Sequence, residues 1–397
     1  MEKFKNYNII MVTLDGLRQD RIKKLPNLSS IKDDGLYFSN MITAAPYTLA
    51  SMHAIFSGVC PSKNGVNAYY NMLKFKSRKF PTFTEILKKE GYFTACDIIH
   101  DAIIPKKGFD ERKIFDENKI NFKKRHSKII QRLSKKKKFF LYLHYTESHK
   151  HLVRELKKIS TNDEYNSKTK LRKDSEDSFF SSFRKNQERY DSYMKKLDEY
   201  VREIKNIIKK SGIEKNTILI FHSDHGTSLG EKKGEKFYGV FTYDYTIKVF
   251  AIIYSPNIKS QEIKYQCQTI DLYPTITDML GLKKRNIPKI QGKNLFLLFH
   301  EKSKKDRIAF VETGGLYGPW PSPNKSNVFC VIKNNKKLIY NDTPQTWEFY
   351  DLKKDTKESR NIFQKNSKEI SRYKKLLLKH FEENNIKTNL KNISYKS

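Results

Sequence analysis

Thr217-Ile218-Leu219-Ile220-Phe221-His222-Ser223-Asp224-His225-Gly226 is the stretch whose reading decides the fold. A short, continuous apolar run bounded by polar residues and Gly is the pattern of a strand buried on both faces, as parallel strands are. Its carboxyl end carries an Asp followed at once by a His. In an open α/β sheet the ligand site lies at that end of the strands, and Asp and His together make a compact pair of metal ligands. The stretch reads as one edge of a metalloenzyme site.

Similar runs recur on either side. Asn8 to Leu14 stops at Asp15-Gly16, and Gly91 to Ile99, Phe139 to Tyr145 and Val249 to Tyr254 alternate with helical stretches. Phe83 to Lys89 and Asp198 to Lys210 have helical periodicity, the latter closed by Gly212, and Ile270 to Leu280 reads as a further helix stopped by Gly281. Strand and helix in alternation predict an α/β fold with a mainly parallel central sheet and helices on both faces. From residue 306 the pattern changes to short strands, Ile308 to Glu312, Val328 to Lys333, Lys337 to Tyr340 and Thr346 to Tyr350, and then a polar helix from Ser367 to Glu382. Residues 1–305 are therefore expected to form the catalytic domain, and 306–397 a small antiparallel subdomain with a C-terminal helix. Residues 152–187 are polar, with turn signals at Asn162-Asp163 and Asn166-Ser167, and read as an insertion that is either a substrate lid or a solvated loop.

At 397 residues the chain is long enough to bury a large core, and 38% hydrophobic content excludes global disorder. The net charge of +34 favours polyanions: phosphorylated glycans, anionic lipid surfaces or nucleic acid. The lysines are spread along the whole chain, which is also what a lysine-biased composition gives, and no aromatic-plus-basic RNA-recognition signature is present, so specific nucleic-acid binding is not expected. Cys60, Cys96, Cys267 and Cys330 have neither disulfide-framework nor zinc-knuckle spacing, which fits a reducing compartment. No small-residue cleavage site follows the apolar stretch Ile9 to Leu14, and no apolar run approaches the ~18 residues of a membrane helix. A soluble, cytoplasmic protein is expected; oligomeric state is not encoded in these patterns.

Three segments place candidate ligands at one sheet edge: Asp15 after the first strand, Thr48 within Ala45-Pro46-Tyr47-Thr48-Leu49-Ala50-Ser51-Met52-His53, and the Asp224-His225 pair. Singly, each has a plain reading, Asp15 and Thr48 as helix caps above all. With Pro61, Gly65-Val66, Gly108-Phe109-Asp110, Ser223 to Glu231, Asp271 to Thr275 and Phe349 to Leu352, the ordered set resembles the sulfatase branch of the alkaline phosphatase superfamily over nearly the whole chain. The resemblance implies an alkaline-phosphatase-like sandwich followed by a small antiparallel sheet. It also implies that Asp15, Thr48, Asp224 and His225 meet at one divalent metal, with the His favouring Mn²⁺ or Zn²⁺ over Ca²⁺ or Mg²⁺. A threonine hydroxyl is a weak nucleophile that metal coordination can activate, and a helix N-terminus beside it suits a tetrahedral oxyanion.

The departures from sulfatases are specific. Where that family has a Cys or Ser, convertible to formylglycine, followed by Pro and Arg, this chain has Thr48, Ala50 and Met52. Threonine cannot yield the aldehyde, and Cys60, further on, reads as a structural thiol. Gly16 replaces the second carboxylate of the first strand, no lysine follows Gly91-Tyr92, Lys232 stands where relatives often have His, and Tyr238 and Val240 replace a pair of histidines. Threonine is similar instead to the nucleophile of the phosphoglycerol and phosphoethanolamine transferases. His149 is the candidate for protonating the leaving group or binding an ester oxygen, and Lys232 for contacting substrate charge. Glu147 and His151 are the only further ligand candidates, without a second spaced pair. The primary expectation is a metal-dependent phosphodiesterase or phosphotransferase acting on phosphate or phosphonate esters, of a glycan or a lipid headgroup, through a covalent phosphothreonine. The alternatives are sulfuric ester hydrolysis without formylglycine and a catalytically quiet polyanion-binding protein.

Overall fold

The computed structural model describes residues 4–149, 178–282, 288–299, 307–316, 318–364 and 367–390. Nine strands form the larger sheet: β1 (Asn8–Leu14), β2 (Leu36–Ile42), β3 (Phe93–Ile98), β4 (Glu111–Ile114), β5 (Phe139–Tyr145), β6 (Thr217–His222), β7 (Lys248–Tyr254), β8 (Gln261–Ile263) and β9 (Cys267–Gln268). Their order is β4-β3-β5-β1-β6-β7-β2-β8, with β9 also on β2. Only β7 runs against the others: it pairs antiparallel with both β6 and β2, while the remaining pairs are parallel.

Alternation along β1 explains the layering, because successive side chains leave a strand on opposite faces. Ile10, Val12 and Leu14 enter one core with Leu28 and Ile31 of α1 (Pro26–Asp33). Ile9 and Met11 enter the other with Met52, Ile55 and Phe56 of α2 (Thr48–Ser57) and Phe83, Ile86 and Leu87 of α3 (Phe83–Lys89). The first core is completed by α4 (Phe122–Leu133) and α6 (Met194–Lys210), which follows α5 (Phe183–Asp191); the second is completed by α7 (Leu272–Met279). Both faces are covered, so fully apolar strands cost nothing in exposed surface.

The second sheet is antiparallel, in the order β10 (Ala309–Thr313), β11 (Val328–Lys333), β12 (Lys336–Asn341), β13 (Thr346–Asp351). One face, with Val328, Cys330, Ile332 and Ile339, packs on Ile42, Tyr243 and Ile247 of the larger unit. The other, with Phe329, Val331 and Leu338, packs on Ile370, Leu377 and Phe381 of α8 (Lys368–Asn384). No helix among the described residues is long and apolar enough to cross a membrane.

Only the end of the expected 152–187 insertion falls within the described residues. Residues 183–187 open α5, which buries Asn186 and Tyr190, and most of the remainder of 152–187 lies outside the described residues. Four strands escape the sequence reading. β4 is a charged edge strand, β8 and β9 are very short, and β2 carries Ser39-Asn40 where its register on β7 shifts between Phe38 and Met41.

Candidate metal and nucleophile site

The parallel register sets the site. Thr13 of β1 lies opposite His144 of β5 and His222 of β6, so the carboxyl ends of three adjacent strands finish level. Past those ends, the donor atoms of Asp15, Asp224 and His225 all lie within 4.8 Å of one another, on three fully buried residues.

Each donor is aimed by its neighbours. The His225 ring places Nδ1 2.7 Å from the Gly226 carbonyl, so Nδ1 carries the proton and the Nε2 lone pair faces the cluster. Asp224 Oδ1 accepts from the backbone N–H groups of Gly16, at 3.2 Å, and of His225, at 3.0 Å. Gly16 makes its bond from a left-handed backbone (φ 67°), a conformation glycine adopts without steric cost. Gly226 has a different constraint: a Cβ on it would lie 2.2 Å from the Tyr245 carbonyl. Burial pushes the Asp224 carboxyl up, His225 pulls against that, and Asp15 adds to it.

Thr48 is the first residue of α2, after Tyr47 in extended conformation. Its Oγ1 is 3.5 Å from Asp15 Oδ1 and 3.2 Å from His225 Nε2. The first-turn N–H groups of a helix have no intrahelical acceptor, so the hydroxyl sits beside a concentration of positive partial charge. The helix is fixed from below by Ser51, whose hydroxyl donates to the Asp224 carbonyl at 2.9 Å.

The donor set suits a divalent ion. Asp224 Oδ2 is buried with no hydrogen-bond partner among the described residues, which is expensive for a carboxylate unless a cation meets it. Two carboxylates and an imidazole can together hold a divalent cation.

Of the sequence candidates, Asp15, Thr48, Asp224 and His225 are brought together. Lys232 is not brought to them: its ammonium donates to the Glu358 carbonyl and lies over the Tyr243 ring at 4.8 Å and the Tyr350 ring at 5.8 Å. It fastens the loop to the C-terminal subdomain. Glu147 forms an ion pair with Lys196 at 3.7 Å. His149 ends a short 3₁₀ turn, Glu147–His149; its side chain and His151 lie outside the described residues. Tyr238 packs on a ligand, its ring 4.5 Å from that of His225.

Sequence reasoning missed the role of His144. Fully buried at the end of β5, it donates from Nε2 to Asp15 Oδ2 at 2.9 Å, fixing the carboxylate from the side opposite Thr48. The available signal was a histidine one residue before the end of an otherwise apolar parallel strand.

The family model described as Sulfatase matches residues 8–282, and that of the N-sulphoglucosamine sulphohydrolase C-terminal region matches residues 234–386. An N-acetylglucosamine-6-O-sulfatase of Bacteroides thetaiotaomicron is 30% identical over 195 residues, covering 47% of this chain and 33% of that protein. Arylsulfatase K of Danio rerio is 27% identical over 175 residues, 42% of this chain and 31% of the relative. The alignments thus span about a third of the length of these curated relatives. A protein solved with its substrate D-glucosamine-2-N,6-O-disulfate superposes with a TM-score of 0.74 at 19% identity, over 96% of this chain and 98% of the other. The phosphonate monoester hydrolase of Agrobacterium radiobacter superposes with a TM-score of 0.71 at 14% identity, over 95% and 96%. With a family model covering more than half its residues and an architecture shared along nearly its whole length, the chain belongs to the sulfatase family.

Proposed function

We propose that the chain hydrolyses a sulfuric ester, with Thr48 as nucleophile and Asp15, Asp224 and His225 as the ligands of a divalent cation. The observation that carries this is the Thr48 hydroxyl within 3.5 Å of Asp15 Oδ1 and 3.2 Å of His225 Nε2, beside Asp224 Oδ2, which has no hydrogen-bond partner among the described residues. Family membership favours sulfate over phosphate as the group transferred, which reverses the order of the two enzyme readings drawn from sequence.

A bound divalent ion supplies charge against the ester's non-bridging oxygens and lowers the pKa of a neighbouring hydroxyl. The protein supplies the rest. α2 holds the Thr48 oxygen at the ester, and the proton leaves toward Asp15 Oδ1, whose second lone pair faces it, while His225 Nε2 would be kept for the cation. His144 holds Asp15 in place during that step. The new bond joins Thr48 Oγ1 to sulfur while the bond to the bridging oxygen breaks and that oxygen departs with a proton, for which His149 is the proposed donor. Water then attacks sulfur and frees Thr48. The relatives' sulfated sugars and the tyrosines beside the site, Tyr69 and Tyr238, support a sulfated glycan as the substrate class.

Phosphate or phosphonate ester transfer is the second reading, and Thr48 itself favours it. A threonine lacks the second hydroxyl of an aldehyde hydrate, so the adduct cannot collapse internally and must be cleared by attack at the central atom. The two readings separate in one experiment. The protein with Mn²⁺, Zn²⁺, Ca²⁺ or Mg²⁺ is incubated with an aryl sulfate, an aryl phosphate and an aryl phosphodiester, and the Thr48 peptide is weighed by mass spectrometry. Turnover of aryl sulfate, with a sulfate adduct at Thr48, is the expected result. Turnover confined to the phosphorus substrates replaces the first reading by the second; no turnover of any, with Thr48 unmodified, removes both.

A further inference from the structure

Residues 69–80, Tyr-Tyr-Asn-Met-Leu-Lys-Phe-Lys-Ser-Arg-Lys-Phe, combine two properties that rarely meet on a folded surface. Tyr70 is 63% exposed, Met72 38% and Leu73 79%, so three of the eight large hydrophobic side chains exposed among the described residues fall within four positions. Immediately after them stand four exposed cations, Lys74, Lys76, Arg78 and Lys79. No Asp or Glu occurs between Asp34 and Glu85, and no ion pair engages these four cations among the described residues.

The exposure is built rather than a sign of a loose loop. Tyr69 stacks on Tyr47 at 4.8 Å, Phe75 packs edge-on against His53 at 5.3 Å, and the Asn71 side chain bonds Asn67 and the Asn324 carbonyl at 2.7 and 2.8 Å. Backbone bonds from Lys74 to Asn71, from Lys76 to Asn64 and from Phe80 to Lys76 close the turns. The loop therefore presents Tyr70, Met72 and Leu73 from a fixed base. That base adjoins the site: Tyr47 precedes Thr48, and Tyr69 and Tyr238 belong to one packed cluster whose Tyr238 ring covers His225.

We infer that residues 70–79 are a docking surface for an anionic lipid bilayer, on a loop whose base packs beside the Thr48 site. An apolar tip ringed by lysine and arginine is the chemistry of interfacial binding: side chains enter the acyl boundary while the cations meet headgroup charge. A sulfated polysaccharide would use the cations and Tyr70, but it has no use for Met72 and Leu73, which is why the lipid is favoured. The inference stands apart from the chemistry assigned to Thr48.

The test is co-sedimentation of the full chain with vesicles of phosphatidylcholine alone and of phosphatidylcholine mixed with phosphatidylglycerol. Binding is expected only to the mixed vesicles and weakens with salt. Met72→Ser with Leu73→Ser lowers the partition coefficient roughly tenfold or more, and Lys74→Glu with Lys76→Glu abolishes the preference for the anionic lipid. All four side chains are exposed, so unchanged thermal melting serves as the folding control for both variants. Thr48→Ala retains vesicle binding, which keeps this result distinct from any failure of the catalytic reading. Absence of vesicle binding overturns the inference. So does binding that survives Met72→Ser with Leu73→Ser while dextran sulfate competes fully, because the surface then recognises polyanions and not a bilayer.

Discussion

Two buried clusters in this molecule each gather three potential metal donors, two carboxylates and an imidazole in one, a thiol, a carboxylate and an imidazole in the other, and they differ in what surrounds them. Asp15, Asp224 and His225 meet at the carboxyl edge of the larger sheet; Cys60, Glu312 and His380 meet where β10 and α8 adjoin the loop after α2, also with donor atoms within 4.8 Å of one another. In the second, Glu312 accepts from the Ser62 N–H at 3.0 Å, from the Ser62 hydroxyl and from His380 Nε2 at 3.2 Å, while the other His380 nitrogen meets Asn384 at 3.1 Å. Burial pushes the Glu312 carboxyl up, but those bonds outweigh it and hold it below its usual range; burial pushes the Cys60 thiol up. In the first cluster Asp224 Oδ2 is left without such a partner and a half-buried hydroxyl, Thr48, stands alongside. Donor identity alone does not distinguish a binding site from a structural seam. Hydrogen-bond saturation does, because a polar group already paired gains little from a cation.

The comparison can be broken most directly at the nucleophile. Thr48→Ala should cost roughly 10⁴-fold or more in turnover of whichever aryl ester the protein cleaves, with thermal stability unchanged. Equal turnover would make the first cluster as inert as the second. Next, Asp224→Asn should weaken divalent-metal binding about 100-fold or more by calorimetry, whereas Glu312→Gln should leave metal stoichiometry at one per chain. Its cost should appear in denaturant unfolding, at about 3–5 kcal/mol, since it leaves a buried histidine contact unmet. A second bound metal lost in Glu312→Gln would erase the distinction.

A third buried carboxyl sharpens it. Glu235 accepts from the N–H groups of Val240 and Phe241, at 2.9 and 2.8 Å, yet burial raises its pKa to about 7. Between the unfolded carboxyl pKa, about 4.5, and 7, the folded state binds the extra proton, so this group stabilises the fold at low pH and loses that contribution as pH rises toward 7. Glu235→Gln should flatten this part of the stability–pH curve by about 3 kcal/mol; the well-paired Glu312 acts with the opposite sign, its stabilisation lost on acidification. The smallest effect belongs to His144→Gln, which should reduce divalent-metal affinity 10–100-fold by calorimetry. Unchanged metal affinity would show His144 to be only structural.

Much of this was readable from residues. The C-terminal elements fell within two or three positions, Val328–Lys333 and the Ser367 cap among them, since antiparallel strands and a capped amphipathic helix carry local periodicity. β2 was not readable because its Ser39-Asn40 bulge breaks the apolar pattern, and β4 because an edge strand need not be apolar. Lys232 shows the same limit at the site: its partners Glu358 and Tyr350 come from more than a hundred residues away.

By itself the sequence determined the alternating strands and helices and offered Asp15, Thr48, Asp224 and His225 as candidates at one sheet edge. These are properties of spacing and of side-chain type, which the chain states locally. Only the tertiary structure decided that Asp15 leans on His144, that Lys232 turns to the second sheet, and that Cys60 lies in a saturated seam. Those outcomes depend on strand register and on which buried atoms find partners, and both are set by contacts between segments distant along the chain.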